Sequence, residues 1–160
     1  MAGTLKVKIQ EDIILDNQDY GSKRVLEVGS IASIVKRIVN IGTDEIGLLG
    51  FGTAYNTELS KTYLAGQFDE DNVRYIRITN LDTTNHIALV LKNENNDEIG
   101  VKVDKGCSFL YCADLAGGVV DTMDSADAAG ITPNSFGDLV DITCASDTAA
   151  CNVEVFVAST

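Results

Sequence analysis

From Val73 to Phe109 the chain reads VRYIRITNLDTTNHIALVLKNENNDEIGVKVDKGCSF, and few folds accept such a stretch. Side chains reverse face at every residue of a strand, so Val73, Tyr75 and Arg77 point one way and Arg74, Ile76 and Ile78 the other. Asn80, Asp82 and Asn85 interrupt the alternation with residues that favour turns. His86 to Lys92 and Ile99 to Asp104 form the next pair, separated by NENNDE, which is too hydrophilic for anything but an exposed hairpin loop. The pattern predicts an antiparallel meander of three consecutive strands, with no segment beside it suited to a catalytic centre.

Strand patterns continue on both sides. Leu5, Val7 and Ile9 alternate with Lys6, Lys8 and Gln10, a half-buried first strand. Asp16 to Gly21 turns the chain, and Lys23 to Val28 returns. Ser30 is placed to cap a short helical turn through Ala32 and Ile34, before β-branched Val35, Ile38, Val39 and Ile41 make another strand. Gly42 to Glu45 then turns that strand back onto a partner, Ile46 to Phe51. Two irregular regions follow, Thr53 to Asn72 with one short strand and Ala113 to Phe136 with the only proline, Pro133. Between them lie the meander and a strand from Cys107 to Cys112. Leu139 to Cys144 and Cys151 to Ala158 read as a closing hairpin. Nine or ten short strands with almost no helix predict an all-β, antiparallel sandwich of jelly-roll type, in a single domain over 1–160.

Charge and composition restrict what such a domain does. A net charge of -12 argues against a surface that wraps nucleic acid, because phosphate binding needs clustered Lys and Arg. Lys6 with Lys8, and Lys36 with Arg37, read as outward faces of strands. No apolar run approaches the roughly 18 residues of a membrane helix, and MAGTLKVKIQ enters alternation directly, so the expectation is a soluble chain made in a cytoplasm.

Chemistry is sparse. His86 is the only histidine, which rules out a histidine metal cluster or a two-histidine mechanism. No Walker or dinucleotide-binding glycine pattern occurs, so no catalytic residue, metal or cofactor is assigned and the chain is expected not to be an enzyme. Asp69, Glu70, Asp71 and Asn72, and separately Asp121, Asp124 and Asp127, lack the spacing of a calcium loop and read as solvated acid. Cys144 and Cys151 flank ASDTAA and either face each other as a disulfide across the closing hairpin or stay reduced and buried. Cys107 and Cys112, five apart on one strand, point to opposite faces.

The passage VRYIRITNLDTTNHIALVLKNENNDEIGVKVDKGCSFLY, with LKVKIQEDI before it and CNVEVFVAST at the end, resembles small all-β structural proteins of marine tailed bacteriophages, including cyanophages. The resemblance implies a virion component, and among virion positions a capsid decoration or cement protein on the outer face of the shell. Its partners would be the major capsid protein and further copies of itself in a homo-oligomer, a trimer being the common form at local threefold positions. On that reading the two irregular regions and the exposed first strand make the contacts, with Tyr55, Tyr63, Phe68 and Phe136 as aromatic anchors. Each of these rings has the alternative of plugging its own sandwich. Competing readings are a tail-tube, tail-fibre or head-to-tail connector component, and a carbohydrate-binding module, against which the absence of Trp counts.

Overall fold

The computed structural model describes residues 2–52, 63–94, 97–112, 121–123 and 137–160. The strands are β1 (Gly3–Glu11), β2 (Ile14–Leu15), β3 (Gln18–Asp19), β4 (Ser22–Ile31), β5 (Ser33–Ile41), β6 (Ile46–Phe51), β7 (Gly66–Phe68), β8 (Val73–Asn80), β9 (Ile87–Asn93), β10 (Glu98–Val103), β11 (Ser108–Cys112), β12 (Asp121–Met123), β13 (Gly137–Ser146) and β14 (Cys151–Ser159). Ten of them run five residues or more, and the only helical turn among the described residues is a 3-10 turn at Glu70–Asn72. The protein is almost all β, as the alternation predicts.

One sheet has the order β11-β8-β14-β5, and the other β10-β9-β13-β6-β7 with β12 beside β13. The inward side chains of both meet in one core, including Ile76, Ile78, Val153 and Val155 from the first and Leu49, Ile87, Leu89 and Ile142 from the second, all 0% exposed. Each fully buried side chain of this size contributes about 1.5–3 kcal/mol, so these two facing layers are the main source of stability. All neighbours are antiparallel except β6 and β7, which pair in parallel.

The expected returns of β4 onto β1 and of β10 onto β9 are present, but three other expected hairpins are not hairpins. β8 lies in one sheet and β9 in the other, so only β9 and β10 of the meander pair. β5 and β6 are likewise separated, and so are β13 and β14, the supposed closing pair. Alternation specifies which face a residue occupies, but it does not say which strand lies alongside. The connections are arches that carry the chain across the core, and they hold one another. Ser146 N–H donates to Gly42 O at 2.8 Å, Asp147 N–H to His86 O at 3.2 Å, and Thr148 Oγ1 to Asn85 Oδ1 at 2.7 Å.

Asn80 organises this end of the molecule. It is 0% exposed, and its Nδ2 donates to Asn85 O at 2.9 Å and Val103 O at 3.3 Å. Its Oδ1 accepts from Asp82 N–H at 3.0 Å, and Asp82 in turn accepts from the Thr84 and Asn85 N–H groups, both at 2.7 Å. The turn residues of ITNLDTTN therefore build an arch sealed by a buried amide. Ser30 also departs from expectation. It takes a left-handed φ of 59° inside β4 instead of capping a helical turn, one residue before that strand ends.

Candidate functional site

His86 and the acidic stretch from Asp69 to Asn72 make local polar contacts. His86 Nδ1 lies 3.1 Å from Asp147 Oδ2, tying two arches together. Asn72 Nδ2 donates to Asp69 Oδ2 at 2.8 Å, and Arg74 to Asp71 O at 2.6 Å. Partial burial raises the pKa of Glu70, helped by the charges of Asp138, Asp71, Asp69 and Glu94. Among the described residues, no three His, Cys, Asp or Glu side chains converge to hold a metal ion. Asp124 and Asp127 lie outside the described residues.

Of the four aromatic anchors, Tyr55 and Phe136 also lie outside the described residues. Tyr63 and Phe68 are half-buried in their own domain. The Tyr63 ring lies on Gly50, where an added Cβ would come within 2.4–2.7 Å of ring carbons, so only glycine admits it. Its hydroxyl reaches Asp141 Oδ2 at 3.4 Å, and burial together with that carboxylate pushes its pKa up to about 12. Phe68 packs against the core, its ring 6.4 Å from that of Phe51. Cys144 and Cys151 are buried free thiols on strands of different sheets, so a bond between them would tie sheet to sheet and not close a hairpin. Burial, with Cys151 nearby, pushes the Cys144 thiol up to about 12.

Among the described residues, the longest exposed stretch is the N-terminal ribbon. β1 and β4 pair, among the described residues, only with each other, and β2 with β3 continues them to a two-residue turn. Asp16 and Asn17 occupy that turn at φ 51° and 64°, the left-handed conformations that a tight hairpin turn requires and that Asp and Asn tolerate. Gly21 is needed where the chain returns, because a Cβ there would meet Glu11 O at 2.8 Å.

The base of the ribbon is anchored. Val28 and Ile31 are buried with Tyr75 and Ala158, and Leu5, Val7, Cys112 and Phe156 pack against them. Tyr75 meets Phe156 edge-on at 5.8 Å, and the Arg77 guanidinium lies 5.7 Å from the Phe156 ring centre while pairing with Glu154. Beyond this base every residue from Lys8 to Glu27 is exposed. Seven of these are large and apolar: Ile9 (49%), Ile13 (53%), Ile14 (75%), Leu15 (57%), Tyr20 (57%), Val25 (50%) and Leu26 (39%). Between ribbon and sheet runs a groove of about 370 Å³ bordered by Val7, Ile9, Leu26, Tyr75, Leu110 and Cys112.

The exposed first strand was expected to make contacts, but the tip was not singled out. The signal was Ile13-Ile14-Leu15, three apolar residues in succession immediately before a turn, where a solvated hairpin places polar ones. Comparison with protein-family models, with curated proteins and with solved structures returns no match.

Proposed function

We propose that the chain is a non-enzymatic structural component of a virion, a decoration protein seated on the outer face of a capsid shell. The observation that carries this reading is the ribbon: an arm with apolar residues at its tip, attached to a body that has a buried core of its own. Contiguous exposed apolar surface of this kind marks a protein contact. An isolated two-stranded ribbon is marginal in water, so a partner surface would also complete its stability.

The strand order adds support. Along β5, β6, β8, β9, β10, β11, β13 and β14 the chain pairs β5 with β14, β6 with β13, β8 with β11 and β9 with β10. We read this nesting as a jelly-roll wrapping, an architecture used by viral capsid domains as well as by lectins and cupins. Fold alone does not specify function, and the arm together with the phage-like ITNLD passage favours the virion. A net charge of -12 suits a protein displayed in many copies, since repulsion between bodies opposes indiscriminate clustering.

The test is the copy number of the protein in purified particles, measured by quantitative mass spectrometry against the major capsid protein. A ratio near one, or a simple fraction of it, is expected. A few copies per particle, or antibody labelling confined to tails, would refute decoration and assign the chain to the tail or connector.

A further inference from the structure

We propose that the partner of the arm is a second copy of this chain: the tip of one arm enters the groove between arm and sheet of the other, and the exchange is reciprocal. The inference rests on reading the ribbon as an interaction element, and it does not depend on the virion assignment.

Three observations carry it. The first is size. The seven apolar arm residues are each 39–75% exposed, and in a reciprocal pair both arms contribute them toward the roughly 800 Å² per partner of a standard-size interface. The second is complementarity within one molecule. The tip offers Ile14 and Leu15 as protruding apolar side chains, and the groove of about 370 Å³ presents Ile9, Leu26 and Leu110, themselves 49%, 39% and 44% exposed, to receive them. The third is charge. Residues 1–31 hold four cations, Lys6, Lys8, Lys23 and Arg24, against five anions, Glu11, Asp12, Asp16, Asp19 and Glu27, a net -1 out of the chain's -12. The remaining -11 sits on the body, so the arm is the part of this molecule that approaches another copy with little repulsion.

Reciprocal exchange also closes. Each copy donates one arm and one groove, the pair has twofold symmetry, and no free tip remains to recruit a third molecule.

The experiment uses the full chain in sedimentation velocity and light scattering across a concentration series. The wild-type chain is expected at twice its 17.1 kDa mass at micromolar concentration. Ile14→Asp with Leu15→Asp, at positions too exposed to affect folding, is expected to weaken association about 30-fold or more, the loss typical of removing a hot spot. Leu110→Asp on the groove side is expected to do the same. Mixing the arm variant with the groove variant restores one arm-to-groove contact, so a heterodimer tighter than either variant alone is expected. Urea midpoints equal to wild type would show that both variants are folded. A wild-type chain that stays monomeric, or an arm variant that dimerises like wild type, overturns the proposal. A monomeric wild type whose arm variant no longer binds particles would assign the arm to the shell, which keeps the virion reading while refuting exchange.

Discussion

Replacing Asn80 with alanine removes a side chain that satisfies three backbone groups. Its Nδ2 covers Asn85 O and Val103 O, and its Oδ1 covers Asp82 N–H, at 2.9, 3.3 and 3.0 Å. Alanine is too short to reach any of them, and a site with no solvent exposure gives water little opportunity to substitute. At about 1 kcal/mol for each bond lost, the expected destabilisation is about 3 kcal/mol. For a chain of this length that corresponds to roughly 6–12 °C in Tm. In urea it lowers the midpoint by about 1–2 M, with an unchanged slope. Asn80→Asp sharpens the test. The carboxylate keeps the acceptor facing Asp82 N–H but sets an oxygen against two carbonyl oxygens, so its folded pKa must rise above the unfolded value. The folded state then favours the protonated acid, and the variant loses stability relative to wild type as pH rises above about 4. The alanine deficit should not vary with pH. An Asn80→Ala deficit below about 1 kcal/mol, or an Asn80→Asp deficit flat between acid and neutral pH, would falsify the claim that this amide seals the arches.

Thiol titration should find Cys107 reactive in the folded protein, half-buried Cys112 slower, and Cys144 and Cys151 silent until urea unfolds the chain. Early reaction of Cys144, whose pKa is pushed up to about 12, would contradict its burial. Gly50→Ala should cost about 1–3 kcal/mol by driving a methyl into the Tyr63 ring, and the cost should largely vanish in a Tyr63→Ala background; equal costs in both would place the strain elsewhere. The Asn85 and Thr84 N–H groups hold the Asp82 carboxyl below its ordinary range, so its contribution is present above the unfolded pKa and lost as pH falls through the folded one. Asp82→Asn should therefore flatten the fall in urea midpoint below about pH 4, and a curve parallel to wild type would exclude Asp82 as a source of acid sensitivity.

The faces of the strands were legible because burial follows a period of two. Ile76, Ile78, Leu89, Val153 and Val155 could be placed in a sandwich core from alternation alone. Partners were not legible. A four-residue link such as Gly42–Glu45 serves a hairpin or an arch equally well, and what decides is the far side of the core. The parallel pairing of β6 with β7 was hidden for the same reason, being a contact across a long connection. Tyr63 was noticed as an aromatic in a loop, yet its use depends on Gly50, thirteen residues earlier and unremarkable among neighbouring glycines. The apolar tip is visible in sequence as Ile13-Ile14-Leu15, but only its exposure in the folded chain, at 53%, 75% and 57%, turns an apolar triplet into a surface.

The ribbon has two routes to self-association, and its side chains discriminate between them. Among the described residues β1 and β4 each leave one edge open, and open edges invite another strand. One face of the ribbon, however, carries Lys6, Lys8 and Lys23, with Glu27 paired to Lys6 at 2.7 Å. Antiparallel addition of a second β1 would bring the lysines of both copies onto one side, where like charges on adjacent strands repel. The opposite face carries a single cation, Arg24, and since Leu5, Val7 and Val28 pack on the body, it leaves Ile9 and Leu26 open beside the groove. Recognition through that face and the tip is therefore favoured over strand addition, and the lysines act as gatekeepers against it. The two routes also respond differently to salt. Screening the lysines would release edge pairing, which has no natural end and scatters light increasingly as chains add, whereas arm exchange stops at a closed pair. Light scattering of the wild-type chain should hold at the mass of two copies as salt rises, and open-ended growth would show that the edges, not the tip, are the adhesive part of the arm.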